Sequence, residues 1–309
     1  MEYIHNKTDF RLERETAVTF GKFDGVHLGH QKLISIVKQK ATQDGLLSAV
    51  FTFDKIPQSI CPKHSQQFIT TNQERRIWFE KADADIEIEY PFTQQFMNME
   101  PYDFIKDIIA GKLKAKYVVV GNDFTFGKDK KGNVDFLLSK SSEFGFETIV
   151  VDKERYQNIE ISSSYVRDEL ALGHMETVNV LLGHPFSICG MVTMGNQLGR
   201  KMDIPTMNIY PPKNKMLPPN GVYASATIVD GIKYFGVTNI GTRPTISDSK
   251  LVSVETNLFD YQESVESYGK NIEVYLVHFI RQEMKFDSIE TLQKQMKSDA
   301  EFAREMFLI

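Results

Sequence analysis

Up to about Gly183 the chain alternates short apolar runs with amphipathic stretches. The runs "AVTFG", "LLSAVFTF", "IEIEY", "YVVVG" and "ETIVV" are separated by "QKLISIVKQKA", "QERRIWFEKA", "YDFIKDIIAGKL" and "VDFLLSKSSEFG". This is βαβα order. "YVVV" and "ETIVV" are apolar without alternation, as expected for parallel strands covered by helices on both faces. The pattern therefore predicts an α/β domain built on an open, doubly wound parallel sheet. "SSSYVRDELALG" and "METVNVLLG" read as two further helices, the first with serines to cap its amino end and each closed by a glycine. After "GHPF" the period shortens to alternating strands: "SICGMVTMG", "VYASATIVDGIKYFGVTNIG", "VSVETNLFDY" and "NIEVYLVHFI". Asp230-Gly231 lies between two such runs and predicts a hairpin. A small antiparallel β-barrel follows, with one closing helix, "SIETLQKQMKSDAEFAREMF". The period changes near Pro185, which predicts domains at 1–184 and 185–309.

A length of 309 residues suits two cores rather than one. The apolar share of 41% and charged share of 25% are those of an ordinary globular protein. The net charge of -5 argues against general affinity for nucleic acid or anionic lipid, while leaving room for a local positive pocket. Cys61 and Cys189 lie far apart and form no disulfide framework, so both read as buried thiols in a reducing compartment. The opening "MEYIHNKTDF" has no basic segment followed by an apolar stretch, and no apolar run approaches the roughly 20 residues of a spanning helix. A cytoplasmic protein without membrane contact, acting on a small ligand, is expected; self-association stays open.

The stretch "TFGKFDGVHLGH" runs from the first strand into the first helix. Ligands of open parallel sheets bind beyond the carboxyl ends of strands, and a helix amino terminus offers N–H groups and positive dipole to phosphate. Gly21, Gly25 and Gly29 allow close backbone approach. His27 and His30, three apart, share a side of the helix start and could both reach phosphate oxygens. A tight turn whose histidines cap the backbone is the plainer alternative. A zinc pair lacks a second cluster of ligands. "GNDFTFGKDKKGN" is a Gly-rich, Lys-bearing loop after "YVVV", and "ISSSYVRDEL" places hydroxyls and Arg167 at another helix start; all three stretches are expected around one crevice. No Walker A pattern exists, because each Gly-Lys pair is followed by something other than Ser or Thr.

Taken in order, "GKFDGVHLGHQKL", "GNDFTFG" and "ISSSYVR" resemble the bacterial bifunctional riboflavin kinase and FMN adenylyltransferase, or FAD synthetase, family. The HxGH turn by itself resembles the wider nucleotidylyltransferase superfamily. "GNQLGRKMDIPTMNI", "LPPNGVYA", "GTRPTI", "SVETNLFD" and "YGKNIEV" resemble the family's riboflavin kinase module, so the likeness covers nearly the whole chain. For the first half it implies that His27 and His30 hold ATP phosphates, with Gly21, Phe23, Asp24 and Gly25 in the same ATP site. It places Asp123 and Phe124 at the flavin, and Ser163, Ser164 and Arg167 at the phosphates and leaving pyrophosphate. For the second half it implies that Thr206 and Asn208 hold ATP-bound Mg2+, that Glu255 is the base, and that Gly195, Gly199 and Arg200 form a flap over the phosphates. Without that likeness, "PTMN" is a turn with an Asn cap, or two oxygens on one strand face able to share a hard cation. Glu255 would then be a solvated strand residue. The family usually has glycine where this chain has Asp203, and a carboxylate there would repel a triphosphate unless paired, for example with Lys201.

The expected activity is two-step: riboflavin and ATP give FMN, then FMN and ATP give FAD, with ATP, riboflavin and FMN as small-molecule substrates and Mg2+ as cofactor. A chain that keeps only adenylyl transfer, and a flavin-binding regulator without chemistry, are the alternatives.

Overall fold

The computed structural model describes residues 1–54, 67–194, 204–243, 251–261 and 267–308. Two compact units are present: Met1–Gln66 with Arg75–Ser162, and Gln67–Glu74 with Ser163–Ile309.

The first unit is built on six parallel strands in the order Glu2–His5, Ile86–Tyr90, Leu47–Phe53, Thr16–Phe20, Ala115–Gly121, Glu147–Val151. Every residue of Thr16–Phe20 is buried, which accounts for its unbroken apolar run. Val18, Phe20, Phe51 and Val120 pack on one face with Phe104, Ile105, Ile108 and Leu137. Ala17 and Val119 pack on the other with Val37 and Ala41 of the helix Leu28–Asp44. Val134–Phe144 is the expected helix. The edge strand Glu2–His5 carries no apolar periodicity and is seen only through its pairing with Ile86–Tyr90.

The helix expected in "YDFIKDIIAGKL" adopts a wider turn than the pattern implies, with Phe104–Lys112 in π geometry. A Cβ at Gly111 would lie 3.0 Å from the Lys106 carbonyl oxygen five residues back, so glycine relieves the crowding of that turn.

The second unit carries six antiparallel strands in the order Phe186–Met191, Asn271–Gln282, Gly221–Val229, Ile232–Arg243, Leu251–Leu258, Met207–Ile209. Its outer edges meet where the Thr193 N–H donates to the Asn208 carbonyl at 2.8 Å, bending the sheet toward closure. The hairpin falls at Asp230-Gly231, where both residues take positive φ, 51° and 79°. The closing helix Ile289–Phe307 starts at a Ser288 capping box, and the Arg281 guanidinium donates to Asp299 at 2.9 and 2.7 Å, tying the helix to the barrel. The helices Ser163–Leu172 and Met175–Leu182 also belong to this unit.

An ion pair lies deep in the same unit. Lys215 is 2% exposed and Glu74 1%. The Lys215 ammonium donates to Glu74 Oε2 at 2.7 Å and to the Ile69 and Ser187 carbonyls at 2.6 and 2.7 Å, so all three of its protons are used. Glu74 in turn accepts from the backbone N–H groups of Thr71 and Cys189. Removing one partner leaves an uncompensated buried charge. Lys215→Met is expected to lower unfolding free energy by about 3–5 kcal/mol in urea titrations. The double variant Lys215→Met with Glu74→Gln should recover part of that loss, because the buried charge goes while one of the two backbone donors keeps an amide oxygen to bond.

Candidate active sites

In the first unit the strand order reverses at Thr16–Phe20: later strands are added on one side through Leu47–Phe53 and on the other through Ala115–Gly121. Such a switch point opens a crevice beyond the carboxyl ends of the two strands. The residues after Phe20 and after Gly121 are the two glycine-bearing loops marked by the sequence.

The first loop is a sharply folded turn. Gly21 donates its N–H to the Phe51 carbonyl at 3.1 Å, and Val26 donates to Phe23 at 3.1 Å. Phe23, Gly25 and Val26 take φ of 50°, 86° and 43°. For β-branched Val26 this is a strained conformation, of the kind found at ligand sites. It is held by burial: Phe23 packs edge-on against Phe79, and Asp24 is also buried. The turn delivers His27 to the cap position of the helix Leu28–Asp44, with free first-turn N–H groups behind it.

His27 and His30 stack with ring centroids 3.7 Å apart and an interplanar angle of 18°. Neither Nδ1 has a hydrogen-bond partner among the described residues. His27 is 6% exposed, and burial brings its pKa down to about 4. Burial, then His27, then the Arg75 guanidinium hold His30 well below the ordinary value. Both imidazoles are therefore neutral near pH 7. A Cβ at Gly29 would sit 3.3 Å from the His27 ring, so glycine keeps the pair uncrowded.

Beside Gly21 and Lys22 opens a cavity of about 550 Å³ lined by Phe20, Phe53, Phe96, Phe104, Phe124 and Phe126, among others. Phe124 packs on Phe126 and Phe20. A space of this size and character suits a flat aromatic ligand. Asp123 pairs with Lys153 at 2.9 Å, and Lys153 also pairs with Glu160. Motif reasoning singled out Phe124 alone; the signal for the others was the density of phenylalanine, 22 in 309, in "FTFD", "YPFTQQF" and "NDFTFG".

Ser163, Ser164 and Arg167 lie on the helix Ser163–Leu172 of the second unit. In the barrel a cavity of about 290 Å³ is lined on one side by Thr206, Asn239, Glu255 and Asn257 and on the other by Met284, Phe286, Leu292 and Met296. Glu255 stands opposite Asn208 on one neighbouring strand and Asn239 on the other. Ser253 donates to Glu255 at 3.3 Å. Asn208 is 4% exposed; its amide nitrogen donates to the Thr206 carbonyl at 3.3 Å, and its Oδ1 has no partner among the described residues. A buried amide oxygen in that state fits a hard cation. Asn257 donates to the Pro205 carbonyl at 2.8 Å and so holds the segment that carries Thr206. Gly195, Gly199, Arg200, Lys201, Asp203 and Cys61 lie outside the described residues, while Cys189 is buried.

A sequence model of the family described as FAD synthetase matches residues 9–165, and one described as riboflavin kinase matches residues 182–307. The Bacillus subtilis (strain 168) protein named bifunctional riboflavin kinase/FMN adenylyltransferase is 36% identical, covering 99% of this chain and 98% of its own. A protein of the same name from Buchnera aphidicola subsp. Schizaphis graminum is 35% identical, covering 98% and 97%. Another from Escherichia coli (strain K12) is 32% identical, covering 98% and 96%. A crystal structure named macrolide-efflux protein from Streptococcus pneumoniae superposes with a TM-score of 0.86 at 31% identity, covering 98% of each chain. Among the described residues here, no helix is long and apolar enough to cross a membrane.

The neutral His27 has a measurable consequence. The unfolded chain takes up its proton from about pH 6.5 downward, whereas the folded chain refuses it until about pH 4. Stability therefore falls as pH falls through that window, and is unaffected by this group above it. His27→Gln should shrink the fall between pH 6.5 and pH 4 by about 3 kcal/mol in urea titrations at a series of pH values. An unchanged slope would contradict the assignment.

Proposed function

The chain belongs to the family of bifunctional riboflavin kinase/FMN adenylyltransferases, and from that premise we propose that it is an ATP-dependent transferase making FMN from riboflavin and FAD from FMN at two separate sites. The stacked, neutral, unsatisfied His27–His30 pair on a strained turn carries the reading. Adenylyl transfer is assigned to residues 1–184 and phosphorylation to 185–309.

In adenylyl transfer a phosphate oxygen of FMN attacks the α-phosphorus of ATP, and the bond to the bridging oxygen of pyrophosphate breaks. The FMN phosphate is already ionised near neutral pH, so no base is required. The work is positioning and neutralisation of charge. Gly21, Phe23, Asp24 and Gly25 shape the turn that receives ATP. The imidazole N–H groups of His27 and His30 donate to its phosphate oxygens, with the amino end of the helix Leu28–Asp44 adding its dipole. Ser163, Ser164 and Arg167 keep the role at the leaving pyrophosphate that the resemblance implies. The phenylalanine cavity takes the isoalloxazine ring, with Phe124 in its wall. Asp123, next in sequence and paired with Lys153, keeps the flavin-site role that the resemblance implies.

In the kinase step the primary hydroxyl of riboflavin attacks the γ-phosphorus and ADP leaves. That hydroxyl does not ionise near neutral pH, so Glu255 takes its proton. The Ser253 hydroxyl donates to that carboxylate and orients it. Thr206 and the unsatisfied Asn208 Oδ1 are the protein ligands for Mg2+, which when bound screens the charge of the ATP phosphates. The apolar wall from Met284 to Met296 receives the ring. Gly195, Gly199 and Arg200 keep the flap role that the resemblance implies. Two widely spaced thiols fit a reducing compartment, and the cytoplasm is the proposed location.

His30→Ala is expected to abolish FAD formation from FMN and to leave FMN formation from riboflavin within about twofold of the unsubstituted chain. Glu255→Gln should do the reverse, cutting FMN formation by about 10²–10⁴-fold and sparing FAD formation. Equal loss of both products in either variant, read by flavin chromatography, would sink the two-site assignment.

A further inference from the structure

Arg75 is 6% exposed and has no part in the scheme above. Its guanidinium donates to the Lys22 carbonyl at 3.2 Å, to the Phe53 carbonyl at 3.1 Å and to Glu89 Oε2 at 3.3 Å. Lys22 belongs to the turn that carries the histidines. Phe53 is the last residue of the neighbouring strand Leu47–Phe53. One side chain thus spans two strand ends at the switch point: Nη1 donates to one carbonyl, and Nη2 serves the other carbonyl and the carboxylate, a spread that the planar fork of arginine fixes in direction.

The surroundings explain how a buried cation is tolerated there. Glu87, Glu89, Asp24 and Tyr3 face it, and Arg76 pairs with Glu87 at 3.4 Å while stacking on the Tyr3 ring. Burial pushes the Glu87 carboxyl up to about 7, and the ion pair of Arg75 is made with Glu89 at 3.3 Å. A buried ion pair stabilises a fold no better than apolar residues of the same volume. What it supplies here is direction: both strand-end carbonyls are aimed at one point.

We propose that Arg75 is a positioning residue for adenylyl transfer, bridging the carbonyl ends of two central strands so that the turn Gly21–His27 keeps the geometry that receives the phosphates. The inference rests on the functional reading above. Its second effect is electrostatic. The titratable groups that face His30 are His27 and Arg75, and the guanidinium helps hold that ring neutral.

The test uses Arg75→Met and Arg75→Lys in the full chain. In Arg75→Met, kcat for FAD formation should fall on the order of 10²-fold. KM for FMN and the rate of FMN formation from riboflavin should stay within about twofold, since the aromatic cavity and the barrel are intact. The His30 imidazole signal, followed by NMR, should titrate at higher pH. Arg75→Lys keeps the charge and loses the fork: kcat should fall about tenfold while the His30 titration stays where it was. Should Arg75→Met not fold, Arg75→Lys carries the test by itself. FAD formation within twofold of the unsubstituted chain in the folded variants overturns the proposal. So does parallel loss of FAD and FMN formation, which marks Arg75 as an ordinary fold element. An unsubstituted chain that forms no FAD from FMN overturns the functional reading itself, and the positioning role with it.

Discussion

Two imidazoles stacked at the carboxyl end of a parallel sheet must stay uncharged, and that requirement organises the first unit. A proton on one ring would be a buried charge with no carboxylate bonded to either Nδ1, and protons on both would set like charges 3.7 Å apart. The chain meets it by burial: Phe23 and Val26 are folded back through positive φ so that the turn packs inward. The strain has a functional return. In the proposed adenylyl transfer, a phosphate ligand would meet neutral donors and backbone N–H groups already in place, with little reorganisation left for the moment of reaction.

The second unit solves a different problem, activating an alcohol. Its polar groups stand in register across three antiparallel strands, Asn208, Glu255 and Asn239, facing an apolar wall supplied by the closing helix and the segment before it. The Arg281–Asp299 fork keeps that wall in place. The Lys215–Glu74 pair fastens the segment at Gln67–Glu74 to the strand Phe186–Met191. Buried carbonyls and carboxylates therefore set the frame in both units, and the chemistry sits on short segments hung from it.

Much of this was legible in the residues because period and burial are directly linked. The unbroken run "YVVV" marked a buried parallel strand, and Asp230-Gly231 marked a hairpin through its backbone freedom. "ETIVV" is parallel too, but Glu147–Val151 lies at the sheet edge and is not covered on both faces as its pattern implied, with Val150 40% exposed. The two-unit architecture and the family likeness followed from the same reading. What stayed hidden lacked a local signal. Glu2–His5 is a strand by pairing, not by pattern. The π turn at Phe104–Lys112 differs from an α-helix by one residue in its hydrogen-bond step, which an amphipathic stripe does not resolve. Lys215 and Glu74 read as ordinary surface charges until they are found 2.7 Å apart across 141 positions of chain. Arg75 was invisible for the same reason: its partners are two backbone carbonyls, which no side-chain motif encodes. The phenylalanine cavity is assembled from five separate segments, each of which alone reads as core.

The central claim is two chemistries at two sites of one chain. It is tested most directly by incubating the purified protein with Mg2+ and ATP, supplying riboflavin in one tube and FMN in another, and separating the flavins by chromatography. The account predicts FMN and then FAD from riboflavin, and FAD from FMN. Riboflavin left unchanged while FMN is converted to FAD would contradict it, and would point to the carboxylate of Asp203 as the departure that silences the kinase half.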